Sequence, residues 1–316
     1  MIAQRHNLRH AALIGGLALL VVATALAIST FGLGYPSPQD ARNSVHDIGE
    51  KSAAERSAAV TGFSLRCMDA LVKARPADAI KFCDLALELN PRNVNALDLR
   101  GNAYVMTGQS AKAIADFSRA IAVAPAEPNA YRFRGAVYTA LHRDREALAD
   151  FNRALALAPG DLLTIEFRGH LHQVTGRYAP AIADFTTVID AQPGLARAWN
   201  SRCWTRTLAN VDLAAALKDC DTAIRLDPAS AFARDSRGFV YVRLKRYASA
   251  EQSFDEALKL KPDLASSLFG RAIAKLELHD VTAPKDLAAA KRIEPGIEVR
   301  FLGYGIRLPV TGPSGT

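Results

Sequence analysis

From about Val60 to Ile297, apolar residues recur at three- and four-residue spacing, the pattern of amphipathic helices that each bury one stripe. A slower rhythm lies over it. Pro91, Pro125, Pro159, Pro193, Pro228, Pro262 and Pro295 stand 34, 34, 34, 35, 34 and 33 residues apart. Twelve residues before each proline is an alanine: Ala79, Ala113, Ala147, Ala181, Ala216, Ala250 and Ala283. Eight before it stands Phe117, Phe151, Phe185 or Phe254, with Cys83, Cys220 and Leu287 in the remaining units. Gly101, Gly135, Gly169 and Gly238 follow ten residues after a proline, and Tyr104, Tyr138 and Tyr241 three further on. The pattern predicts two helices per unit. Small Gly and Ala columns let those helices approach closely, and proline sits where the second helix must stop. One such pair cannot bury its own apolar face, so neighbouring pairs must stack.

The segments GNAYVMTGQSAKAIADFSRAIAVAP and GAVYTALHRDREALADFNRALALAP carry nearly the whole pattern of the tetratricopeptide repeat family, which the chain resembles over about Val60 to Ile297. The resemblance implies an all-α fold: a right-handed superhelical solenoid of about seven helix-turn-helix repeats, near 60–93, 94–127, 128–161, 162–195, 196–230, 231–264 and 265–297. It also implies that the first helix of each pair lines a concave groove. Three departures stand out. The first repeat lacks the usual glycine, the fifth has one extra residue near Asn210, and the seventh is short, with Pro284 inside its second helix. The tail, 298–316, holds Phe301, Leu302, Tyr304, Ile306 and Leu308, apolar enough to dock on the last repeat, with Pro309 onward expected to be loose.

Outside the repeats, Ala11–Leu33 contains no charge and is long enough to cross a hydrocarbon core of about 30 Å as a helix. Arg5 and Arg9 precede it, within a short N-terminal stretch, 1–10. The positive-inside bias therefore keeps that stretch in the cytoplasm and sends the rest outside. A cleaved signal peptide is the competing reading, since Ala25-Leu26-Ala27 has the small-x-small form of a cleavage site. Residues 34–59 are polar, open on Pro36-Ser37-Pro38, and read as a tether, partly helical in its second half, with a first helix of the folded domain from Glu50 onward as the alternative. The expected location is a single pass through the inner membrane with the repeats in the periplasm. The formal charge of +7 is spread without a basic block, which gives no footing for nucleic acid.

Cys67 and Cys203 occupy the glycine column, and Cys83 and Cys220 the phenylalanine column of the same two repeats. These columns face each other across a helix hairpin, close enough for two disulfides, as an exported domain allows. The alternative is four small, reduced core residues. Arginine precedes the glycine column in every repeat: Arg66, Arg100, Arg134, Arg168, Arg202, Arg237 and Arg271. Asp116, Asp150, Asp184, Asp219 and Asp286 precede the facing column, so pairing across each hairpin is expected, as exposed pairs worth about 0–1 kcal/mol each.

By the same resemblance, groove-lining residues of the second to fourth repeats are Asn95, Asp98, Asn102, Asn129, Arg132, Glu166, His170 and Gln173. Those of the later repeats are Arg197, Asn200, Trp204, Phe232, Asp235, Phe239, Arg243, Phe269 and Ile273. The first group is polar and the second aromatic, a surface suited to a protein or peptide partner with apolar anchors at one end. Trp204, Phe239 and Phe269 could equally pack on neighbouring helices. Chaperone-binding members of the family clamp a terminal carboxylate with lysine and asparagine, and Asp98 stands where lysine is wanted. No phosphate loop, nucleophile elbow or zinc-protease motif is present, and His170-Leu171-His172 is not spaced to share a metal. The reading is a membrane-anchored scaffold, not an enzyme, without cofactor or metal, in cell-envelope assembly or maturation. Two alternatives remain: an enzyme or accessory subunit using the polar groove around Glu166 and His170, and a homo-oligomer that self-associates through the aromatic half and the tail.

Overall fold

The computed structural model describes residues 52–309, and the apolar run 11–33 lies outside them. The described residues are all-helical, with fifteen helices and no strand. Fourteen form seven hairpins: α1 (Ala53–Val72) with α2 (Pro76–Leu89), α3 (Val94–Met106) with α4 (Ser110–Val123), α5 (Pro128–Ala140) with α6 (Asp144–Leu157), and α7 (Leu162–Val174) with α8 (Tyr178–Ala191). The series continues with α9 (Ala196–Ala209) and α10 (Leu213–Leu226), α11 (Ala231–Arg243) and α12 (Tyr247–Leu260), and α13 (Ala265–Glu277) and α14 (Ala283–Ile293). A short α15 (Ile297–Gly303) follows. The chain divides into two compact units, whose described parts are 52–164 and 165–309. No helix among the described residues is long and apolar enough to cross a membrane.

Each first helix ends on a left-handed residue at one column: Ala74, Gly108, His142, Gly176, Asn210, Lys245 and His279, with φ between 52° and 76°. The turn is a Schellman closure, in which the Gly108 N–H donates to the Val105 carbonyl and the Gln109 N–H to the Tyr104 carbonyl. The extra residue of the fifth repeat is absorbed here. Asp212, itself at φ 40°, caps α10 by accepting from the Ala215 N–H. Two readings of the sequence shift. Ser52 and Glu55 form a capping box that starts α1 at Ala53, inside the stretch read as tether, because two reciprocal caps satisfy the helix's first donors. Pro284 lies in the first turn of α14 rather than inside it, where its missing N–H costs nothing.

In four hairpins the glycine and phenylalanine columns meet at close range. A Cβ on Gly101, Gly135 or Gly238 would lie 2.5–2.8 Å from the ring of Phe117, Phe151 or Phe254, so the aromatic ring requires glycine opposite. Where neither is used, two small residues fill the gap and are bonded. Cys67–Cys83 and Cys203–Cys220 are disulfides, each with Cα atoms 5.5 Å apart.

The arginine column is paired. Arg100, Arg134, Arg168, Arg202 and Arg271 each grip Asp116, Asp150, Asp184, Asp219 or Asp286 through two nitrogens at 2.6–3.0 Å. Several also reach back one repeat, as Arg100 does to Asp84 at 2.6 Å and Arg271 to Asp255 at 2.7 Å. The pairs are not exposed, contrary to the sequence reading. The five aspartates are 2–6% exposed, because each stands beside the column where the two helices of its hairpin face each other. Losing one arginine would strand a buried charge, at about 3–5 kcal/mol. In the first repeat Phe82 replaces the aspartate, and Arg66 lies 5.8–5.9 Å from the centres of the Phe63 and Phe82 rings.

Candidate functional site

One column of the first helices, with the same spacing as the prolines, runs Ser64, Asp98, Arg132, Glu166, Asn200, Asp235 and Phe269. All but Ser64 are among the groove residues expected from sequence. The two units use this column differently.

In the first unit its atoms are largely without protein partners. Among the described residues, nothing hydrogen-bonds to the buried Ser64 Oγ, Asp98 Oδ1, Asn102 Oδ1 or Arg132 Nε. Asn102 stands one turn after Asp98 on α3, so the two side chains are neighbours on one face. Burial pushes the Asp98 carboxyl up to about 7, against the attraction of Arg132 and with the repulsion of Glu127. Arg132 is 7% exposed. Its other nitrogens are engaged: one pairs with Asp161, and the other donates to Asn129 Oδ1 at 2.7 Å. Asp161 also accepts from the Thr164 hydroxyl. Asn95 and Asn129 lie exposed beside this cluster.

In the second unit most of the column is satisfied from within. Glu166, 5% exposed, accepts two bonds from Arg197 at 2.8 and 3.1 Å. Asp235 accepts from the Ser266 and Ser267 hydroxyls at 2.9 and 2.6 Å, while burial raises its carboxyl to about 6. Gln173 donates to Thr205 Oγ1 at 2.6 Å. His170 packs edge-on to Phe185 with ring centres 4.9 Å apart, and burial lowers its pKa. Asn200 Oδ1 is the exception, with no partner among the described residues.

The aromatic anchors of the second unit are taken by the chain's own tail. Phe301 of α15 stacks on Phe239 and Phe269 at 4.7 and 4.9 Å, and Tyr304 packs edge-on to Trp204 at 5.9 Å. Arg243 donates to the Tyr304 and Gly305 carbonyls at 2.6 and 3.1 Å. Phe301 and Ile306 are 1% and 3% exposed. For Trp204, Phe239 and Phe269 this geometry agrees with the packing alternative, and Arg243 is bonded to the same tail. They are first-helix residues at groove positions, but an apolar tail covers them. Ile273 is likewise buried in that core. Phe232 is left out of it, 54% exposed with Lys261 Nζ 5.3 Å from its ring centre. Of the tail residues expected to dock, Leu302 stays outside at 53% exposure. The looseness expected beyond Pro309 concerns residues outside those described.

The groove residues expected from sequence lie on first helices, and what sequence reasoning missed is their partners. Asp161, Thr205, Ser266 and Ser267 lie about 30 residues from the groups they satisfy, and a near-repeat separation was the available signal. No group of three or more His, Cys, Asp or Glu that could hold a metal occurs among the described residues.

Tetratricopeptide repeat models match residues 82–115, 99–161 and 234–264. Those stretches are similar to tetratricopeptide repeats. No curated protein matches it. Among solved structures, a tetratricopeptide repeat protein from Parabacteroides merdae is 18% identical, with a TM-score of 0.63 over 78% of this chain and 98% of that one. PilW, a type IV pilus biogenesis factor, is 20% identical with a TM-score of 0.60 over 64% and 94%. Pseudomonas aeruginosa pilF is 17% identical with a TM-score of 0.56 over 67% and 96%. At these identities the likeness concerns the repeat fold.

Proposed function

We propose that this chain is a membrane-anchored tetratricopeptide repeat scaffold that binds a protein or peptide partner on the first-helix face of its first unit, 52–164. One observation carries the reading. That face holds buried polar atoms at Ser64, Asp98, Asn102 and Arg132 without partners among the described residues, whereas the aromatic face of the second unit is covered by the tail. Unmade hydrogen bonds cost about 1–3 kcal/mol each, and a ligand that makes them recovers that cost on binding. An enzyme around Glu166 and His170 is disfavoured because Glu166 is committed to Arg197 and burial works against a charged His170.

Anchoring by the apolar run 11–33 and work in a cell envelope agree with the two disulfides, which persist in oxidising compartments. Alkylating free thiols in the membrane-isolated protein before mass measurement tests this: no alkylation and a mass retaining Met1 are expected. Four alkylated cysteines would place the repeats in a reducing compartment. The binding face is tested by selecting short random peptides on the full chain in mild detergent. Binders are expected to weaken at least tenfold on Asn95→Arg, which puts a bulky charge on an exposed position of that face. Unchanged binding would remove the face from the reading.

A further inference from the structure

We propose that the first-helix face of the first unit recognises a basic side chain, lysine or arginine, of its partner polypeptide, held by Asp98 and Asn102. This rests on the reading of that face as the binding site and adds the chemistry of what it takes. The argument begins with the kind of atom left over. Asp98 Oδ1 and Asn102 Oδ1 are both acceptors, one turn apart on α3, and no described group donates to either. Asn102 is 6% exposed, so its carbonyl is a buried acceptor rather than a surface one. Two adjacent acceptors, one of them a carboxylate, call for a donor with several N–H groups and a positive charge.

The surrounding charge has the matching sign. Glu127 raises the Asp98 pKa, so its negative charge is felt there. Among the described residues, the positive group that bears on Asp98 is Arg132, and Arg132 is already paired with Asp161 and bonded to Asn129. Counting Asp98, Glu127, Asp161 and Arg132, the cluster is acidic in a chain whose formal charge is +7. A terminal carboxylate would meet Asp98 head-on, so the site favours a cation over an anion. A neutral donor or water could satisfy the oxygens but would leave the acidic charge uncompensated.

The test uses peptides selected on the full chain from a random library and measures affinity by titration. A lysine or arginine at a common place in the binders is expected, with Lys→norleucine in the peptide weakening wild-type binding at least about tenfold, the worth of a charge-assisted bond. On Asp98→Asn, the same peptide change should matter less than about threefold, because the double-mutant cycle then lacks its partner. Norleucine sits in the peptide, so that arm does not depend on how the protein variant folds. Asn102→Ala is expected to weaken the lysine peptide several-fold and the norleucine peptide little. Binders without a basic residue that are still weakened by Asn95→Arg would overturn the cation proposal and keep the binding face. Binders indifferent to Asn95→Arg, Asp98→Asn and Asn102→Ala would overturn both.

Discussion

Asn200 apart, the same column of the repeat behaves oppositely in the two units. At Glu166 and Asp235 the buried carboxylate is met by Arg197 or by a pair of serines, and at Phe269 an aromatic ring is met by Phe301. At Ser64, Asp98 and Arg132 the same position keeps atoms that no described residue answers. The scaffold imposes similar burial on the column throughout, so the difference lies in what the next repeat or the tail supplies. A repeat array can thus consume one stretch of its first-helix face for stability and leave another for recognition, without changing fold. Stability and binding should respond to substitution with opposite sign in the two units.

The largest effect is expected at the tail. Phe301→Ala removes a ring buried between Phe239 and Phe269 and should cost the second unit about 3–5 kcal/mol. Trp199 and Trp204 both lie in that unit, so the urea midpoint of tryptophan fluorescence reads it directly. Peptide affinity at the first unit should stay within about twofold; a marked gain would mean that the tail also regulates binding and would break the contrast. Next come the disulfides, one in each unit. Replacing Cys203 and Cys220 by alanine should cost about 3 kcal/mol in the chain-entropy account, as should Cys67 with Cys83, both measured by calorimetry. A smaller loss, about 1–2 kcal/mol, is expected from Arg197→Met, which strands Glu166 while its own half-exposed guanidinium was already screened by water. No loss on that substitution would mean Glu166 finds another partner, weakening the claim that the second unit is satisfied from within.

The repeat, its period and the facing Gly–Phe, Cys–Cys and Arg–Asp columns were legible because each is a local spacing fixed by helix geometry. So were most first-helix positions. What spacing could not reveal was occupancy. Asp98 and Asp235 sit at equivalent positions with the same side chain, yet only Asp235 has serine hydroxyls from the first helix of the following repeat. That difference depends on residues about one repeat away. The tail was read as apolar, but whether Phe301 would cap the array's end or lie against Phe239 depends on where α15 turns back. The burial of the Arg–Asp pairs was underestimated for a related reason, since exposure follows from how closely hairpins pack rather than from charge.

The last predicted effect is the most diagnostic, because its sign is unusual. Asp98→Asn should stabilise the protein by roughly 1–3 kcal/mol at pH 8 while weakening binding of a basic peptide, since it removes a buried charge that lacks a full set of partners. A carboxyl raised from 3.8 to about 7 by burial holds its proton more tightly folded than unfolded. Its favourable contribution is therefore fully present below about pH 4 and lost as pH rises through about 7. The advantage of the asparagine variant should be near zero at pH 4 and grow toward pH 8, measured by urea unfolding across that range. Asp235, raised to about 6 by burial, has the same sign, so the variant should flatten the pH slope without abolishing it. Affinity for a basic peptide should rise over the same interval in the wild type, as Asp98 ionises beside Arg132 and Glu127, and should be flat in the variant. Equal destabilisation by Asp98→Asn at pH 4 and pH 8 would mean that partners hold Asp98 as Arg197 holds Glu166, and the contrast between the two units would fail at its central residue.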